Sequence, residues 1–306
     1  MSSATTRSKW QSWQFLLLRR FSQLLVLALF LISPLVVHWT GDTPLIIGNL
    51  SSSLTLGVIP MSDPLAVLQS LLAGHPMVFQ GLSGAGIVTL LYSLLGGRSF
   101  CSWVCPVNPI TDLAAWLRKR LSIRNSHKLS RSSRYWILAM VLVLPLVTGM
   151  MVWELFNPIS QLVRGILFGM GMGWYLIAGI FLFDFLISAR GWCGHLCPLG
   201  AFYGLLGRIS PVQVCATKRQ ECDDCMDCYA VCPEPQILPP ALKERKGESP
   251  VLNKSDCTRC GRCIDVCDKN VFEFQASLNH QNNQLITTTR KKPRSSDTNL
   301  LILKND

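Results

Sequence analysis

Apolar residues gather in four runs along the chain, at positions 21–39, 78–97, 135–153 and 166–188, each flanked by polar or basic residues. About 20 apolar residues cross a bilayer as a helix, so the pattern predicts four membrane-spanning helices. None of the runs contains Lys or Arg, and Trp39, Trp136, Trp153 and Trp192 stand near their ends, where the headgroup layer suits an amphipathic ring. The connection 41–77 predicts a short helix with Asp63 as N-cap and Pro64 at its first position. Leu65, Leu68, Leu71 and Leu72 would share one face of it, lying along the outer surface over a lipid-facing pocket. "NPIT" at Asn108 and "NPIS" at Asn157 both read as helix N-caps. From Pro211 the pattern turns polar and cysteine-rich, and beyond residue 275 little can pack. The expected organisation is a membrane domain at 1–210, a small soluble domain at 211–275 and a disordered tail at 276–306.

Composition supports a membrane protein with a soluble appendage. Hydrophobic residues make up 49% of 306 positions, yet the chain holds 13 cysteines and a net charge of +11. The charge is topological. Connection 41–77 has no Lys or Arg, whereas 98–134 has eight. Positive charge stays on the cytoplasmic side, which places both termini in the cytoplasm of a bacterial inner membrane. Only Arg164 then lies outside, leaving 28 of the 29 basic residues inside. This distribution gives no support to nucleic-acid binding. Arg19-Arg20 before an apolar run also suggests a twin-arginine export signal, but the following "FSQ" fits poorly and no small-x-small cleavage site follows. A retained first helix is the preferred reading.

Cys222, Cys225, Cys228 and Cys232 follow the spacing C-x2-C-x2-C-x3-C-P, and Cys257, Cys260, Cys263 and Cys267 repeat it. In two-cluster ferredoxins the fourth cysteine of each run ligates the other 4Fe-4S cluster. Carried over, cluster 1 takes Cys222, Cys225, Cys228 and Cys267, and cluster 2 takes Cys257, Cys260, Cys263 and Cys232. Zinc sites use separated C-x2-C pairs, and disulfides are disfavoured in a reducing cytoplasm. Asp268 stands where the second run would carry Pro. Cys215 belongs to neither spacing and is expected to pack.

A second cysteine pattern occurs twice: Arg98 precedes "FCSWVCP" and Arg190 precedes "WCGHLCP". Both copies follow spans expected to run inward. Two parallel repeats imply an axis along the membrane normal, which would bring Cys101, Cys105, Cys193 and Cys197 together. Within each copy the i, i+4 spacing puts both thiols on one helical face. Three readings stay open: buried packing, a metal or cluster site, and an electron-exchanging thiol pair.

With paired C-x3-C-P motifs, four apolar runs and a doubled cluster motif, residues 10–275 resemble the polyferredoxin family of membrane electron carriers. "SSSLTLGVIPMSDPLAVLQSLLAGH" and "CMDCYAVCPEP" point to its NapH branch. The resemblance implies an all-α membrane domain of four helices in two parallel repeats, followed by a small α+β two-cluster ferredoxin domain. It implies an electron-transfer subunit of a quinol dehydrogenase that draws on the quinol pool. Implied partners are a NapG-type periplasmic iron-sulfur protein and a NapC-type tetrahaem cytochrome, leading to periplasmic nitrate reductase. Quinol oxidation also needs proton acceptors. Asp184, the one acid inside a run, is the first candidate; His195, Glu154 and His75 follow, each also readable as a polar boundary residue. The alternative function is a maturation protein supplying reducing equivalents to a metalloenzyme. Reporters fused after Ser126 and at the carboxyl terminus should signal cytoplasm, and one after Ser53 periplasm; a periplasmic carboxyl terminus would invert the topology.

Overall fold

The computed structural model describes residues 12–40, 46–48, 51–55, 58–76, 79–123, 129–169, 171, 173–242 and 249–276. The tail expected to be disordered lies outside them from 277 onward. Helix α1 (Gln14–Thr40) contains the first apolar run but starts earlier, so Arg19 and Arg20 fall inside the helix and not before it. Its stretch Gln14–Ser33 is the one helix among the described residues long and apolar enough to cross a membrane.

Three short antiparallel strands follow, β1 (Ile46–Gly48), β2 (Ser52–Thr55) and β3 (Ile59–Ser62), in the order β1-β2-β3. An all-α membrane domain is therefore corrected: the alternating "SSSLTL" stretch of the outer connection forms a sheet, with Leu54 opposite Ile47 and Pro60. Helix α2 (Pro64–Leu72) begins as expected, the Asp63 carboxylate accepting from the Leu65 N–H at 3.2 Å. Its position differs from expectation. Leu65, Val67 and Gln69 are buried while Leu71 is exposed, and Gln69 Nε2 donates to the Val141 carbonyl at 2.8 Å. Instead of roofing the outer surface, α2 dips into the bundle, with Leu65 in one core with Phe100, Leu138 and Tyr203.

The other apolar runs form α3 (Phe79–Leu95), α6 (Ser133–Thr148) and α9 (Gly173–Leu182), which continues as a π-helical turn, Phe183–Ile187. All three are shorter than predicted. A helix of 17 residues, the length of α3, reaches roughly 25 Å, short of the ~30 Å hydrocarbon core. α6 stops because Gly149 adopts the left-handed conformation (φ 66°) that closes a helix end. In the fourth run α9 begins only at Gly173.

Between these lie α4 (Ser99–Trp103), α5 (Val107–Arg120), α7 (Val152–Phe156) and α8 (Pro158–Phe168). Asn157 caps α8 as predicted, accepting from the Ile159 N–H at 3.1 Å. Asn108 does not cap: it sits inside α5, where its Oδ1 accepts from Gln23 at 3.1 Å. A second π turn, Trp192–Leu196, leads to α10 (Pro198–Leu206).

The two C-x3-C-P copies thus share one plan. An apolar helix is followed by a short turn bearing the first cysteine, a break at Cys-Pro, and a new helix. α5 packs against α9 and its π turn, while α10 packs against α3. Each repeat lays its second helix on the first helix of the other, as a pseudo-two-fold requires. Gly97 permits this contact, since a Cβ there would lie 1.6 Å from the Tyr203 carbonyl oxygen.

The cysteine-rich part pairs β4 (Val212–Ala216) with β5 (Phe272–Ala276) antiparallel and carries α11 (Asp227–Val231), α12 (Leu238–Leu242) and α13 (Arg262–Val266). Val214, Ile237, Leu238, Leu252, Val271 and Phe272 form its core. Polar contacts bind it to the helices. The Asp265 carboxylate accepts from the Phe15 and Leu16 N–H groups at 3.3 and 3.0 Å, capping α1 where free donors favour an anion. Glu234 accepts from Arg98 at 3.0 Å and lies 3.6 Å from Arg134, which also pairs with Asp256. Both arginines and Glu234 are at most 3% exposed. Removing one member of such a buried set strands the others. Glu234→Gln should therefore lower stability by roughly 3–5 kcal/mol, read as earlier thermal unfolding of the detergent-solubilised chain; an unchanged transition would show that the cysteine-rich part is held in another way.

Candidate iron-sulfur and cysteine sites

The two C-x2-C-x2-C loops repeat their backbone as well as their spacing. Asp224 and Met226 in the first, and Arg259 and Gly261 in the second, all have φ between 51° and 72°. Left-handed residues alternating with ordinary ones turn successive N–H groups inward, the concave arrangement that holds iron-sulfur sulfurs. Each loop opens on its own cavity. One is lined by Cys222, Cys225, Cys228 and Cys267, the other by Cys232, Cys257, Cys260 and Cys263. These are the two sets expected from the crossed ligation pattern. All thirteen cysteines are free thiols. Two four-thiol cavities fit two 4Fe-4S clusters, each of which supplies a one-electron couple when bound. In the first set Cys225 is exposed, whereas in the second Cys260 is buried.

The four C-x3-C-P cysteines also converge. Cys105 lies within electrostatic reach of Cys101 and Cys197, and Cys193 of all three others. Burial pushes every one of these thiols up, Cys197 to about 12, while Arg98 partly opposes the rise at Cys101. Cys228 and Cys257 are raised too, each to about 11 and chiefly by burial. A raised thiol therefore does not separate a ligand from a packed cysteine. Among the described residues no three His, Cys, Asp or Glu side chains close on a single metal ion. A third cavity links the two sites, lined by Cys101 and Cys193 on one side and Cys260 on the other.

Charge surrounds that link. The carboxylate of Asp112, on α5, faces four arginines: Arg19 at 3.7 Å, Arg20 at 2.7 Å, Arg190 at 3.5 Å and Arg262 at 2.6 Å. Burial alone would raise Asp112, but Arg262 and Arg190 outweigh it and hold the carboxyl below its ordinary value. The motif arginines also grip the chain on either side of Cys232. Arg190 donates to the Val231 carbonyl at 3.4 Å and Arg98 to Glu234 at 3.0 Å.

Comparison with known proteins agrees with this reading. A family described as "4Fe-4S binding domain" matches residues 78–124 and 170–213, the two C-x3-C-P repeats. A "4Fe-4S dicluster domain" matches 221–271. Ferredoxin-type protein NapH of Haemophilus influenzae is 48% identical over 278 residues, covering 90% of this chain and 95% of its own. The chain belongs to the NapH family of ferredoxin-type proteins. The NapH of Escherichia coli is likewise 48% identical, over 86% of the chain and 90% of its own length. The methylamine utilization ferredoxin-type protein MauN of Methylorubrum extorquens is 46% identical over 87% and 88%. No solved structure matches. Membership establishes an iron-sulfur electron-transfer protein.

The proton-acceptor candidates are scattered through this NapH-type fold. Asp184 is fully buried, and its Oδ1 accepts from the Trp192 N–H at 2.8 Å, so it caps the turn bearing Cys193. Its Oδ2 has no hydrogen-bond partner among the described residues. Arg190 lies within electrostatic reach of Asp184 and makes its ion pair with Asp112. His195 is half-buried with Nδ1 unpartnered, and burial lowers its pKa. Glu154 accepts from Ser51 and Asn157, and His75 is exposed. Cys215 is fully buried in β4.

Sequence reasoning missed Asp112, Arg19, Arg20 and Arg262. A signal was available for two of them: an arginine pair within an apolar helix is costly enough to need a partner. Cys225→Ser should halve the iron of the purified chain from about eight to about four, and Cys260→Ser should remove the complementary half. Equal loss of both signals in either variant would contradict two independent cavities.

Proposed function

We propose that this chain crosses the bacterial inner membrane four times with both termini in the cytoplasm, as the membrane component of a quinol dehydrogenase. In this reading electrons pass from the quinol pool towards periplasmic nitrate reductase, with a NapG-type iron-sulfur protein and a NapC-type tetrahaem cytochrome as partners. The observation that carries the reading is the cavity joining Cys101 and Cys193 to Cys260. It gives the helices a short route to the Cys260 cluster site, which a soluble ferredoxin would not need. Arg98 and Arg190 hold the two parts in register across it, through Glu234 and the Val231 carbonyl. Asp184, buried beside Cys193 with one free carboxylate oxygen, is the proposed proton acceptor.

The similarity to MauN proteins supports a second reading. A relative of nearly equal identity is named for methylamine utilization, as expected of a module that supplies reducing equivalents during maturation of different metalloenzymes. The two readings differ in time. A dehydrogenase subunit is needed for every turnover, whereas a maturation protein becomes dispensable once its target is made.

In membrane vesicles supplied with quinol, the clusters should be reduced at a steady rate, and Cys101→Ser and Cys193→Ser should each lower that rate at least tenfold with iron content retained. Serine keeps nearly the shape of cysteine but removes the soft sulfur. Full quinol-dependent rates in both variants would leave the four cysteines as packing. Undiminished nitrate reduction after depletion of the chain from vesicles holding mature reductase would favour maturation.

A further inference from the structure

The two cysteine cavities sit in opposite electrostatic surroundings. The cavity of Cys222, Cys225, Cys228 and Cys267 is lined by Asp223, Asp224 and Asp227 against the single cation Lys269. The cavity of Cys232, Cys257, Cys260 and Cys263 is lined by Arg259 and Arg262 with Glu234. Behind Arg262 stands the cage already described, four guanidiniums on the one carboxylate of Asp112. Arg190 and Arg262 both lie within electrostatic reach of Cys260 and Cys232, and Arg19 of Cys260. Arg190 and Arg262 also donate to the same Val231 carbonyl, each at 3.4 Å, one residue before Cys232.

Four positive charges against one negative, with little exposure, form an arrangement that repels itself unless further negative charge is nearby. Arg19 is 2% exposed, Arg262 13% and Asp112 9%. Four thiolates around a cluster supply that charge, and adding an electron increases it. Burial opposes an extra electron at this site, while solvent favours it at the exposed Cys225 site. Charges at short range in a low-dielectric interior act more strongly than solvated carboxylates do at a surface.

Building on the two-cluster reading, we propose that the cage of Arg19, Arg20, Arg190 and Arg262 around Asp112 makes the Cys232/Cys257/Cys260/Cys263 cluster the more easily reduced of the two. Asp112 moderates the effect by neutralising one of the four charges.

The test is a redox titration of the full-length chain in detergent, using a chemical reductant and following the cluster signals by electron paramagnetic resonance. Because no quinol is involved, the outcome is independent of the dehydrogenase assignment. Two midpoints are expected, and the signal surviving in Cys225→Ser should be the higher. Arg262→Gln should lower that midpoint by about 59 mV, a tenfold loss in a one-electron equilibrium, and leave the other in place. Asp112→Asn should raise the same midpoint. If Arg262→Gln fails to load iron, Arg20→Gln, whose side chain is 32% exposed, tests the same charge. A higher midpoint at the Cys225 site, or variants that move both midpoints together or neither, would overturn the proposal. Absence of iron from the wild-type chain would overturn it together with the cluster reading.

Discussion

Everything else in this molecule depends on a seam of buried opposite charges between its helices and its cysteine-rich domain. Arg98 and Arg134 meet Glu234 and Asp256 on one side, and Arg19, Arg20, Arg190 and Arg262 meet Asp112 on the other. Such pairs cost desolvation and add little net stability compared with apolar packing, but breaking one is expensive. Their value lies in register. A hydrophobic interface tolerates sliding, whereas a guanidinium shared between a carboxylate and a named carbonyl does not. Both cluster loops are therefore held at a set distance from the helices.

Seen from this seam, the repeated Arg-x-aromatic-Cys pattern has a structural explanation. The arginines do not serve their own cysteines alone. Arg98 and Arg190 reach out of the two repeats to opposite sides of Cys232, the cysteine that crosses from one cluster loop to the other cavity. The reciprocal packing of α5 on α9 and of α10 on α3 brings the two turns to one place, and Gly97 allows the approach. Cys101 and Cys193 thus share a cavity with Cys260, while Cys225, in the acidic loop, is exposed.

The outer segment adds a feature that a helix count would not suggest. The sheet and α2 together enter the bundle, placing Leu65 against the same aromatic residues that back Cys101. The core of the helical domain is therefore built from both the outer connection and the two repeats.

What the sequence determined by itself is what local chemistry dictates. The doubled cysteine spacing, the caps at Asp63 and Asn157 and the four apolar helix positions follow from short-range rules of ligand reach, N-terminal donors and side-chain periodicity, and the fold contains each of them. The lengths of three apolar helices, the strands in the outer connection and the role of Asn108 were misread, because apolarity alone marks neither a glycine stop nor a strand. Tertiary structure decided the rest. That Asp112 collects arginines from residues 19, 20, 190 and 262 depends on elements far apart in the chain. Ion pairs between such elements have no fixed sequence spacing, so only packing can choose their partners.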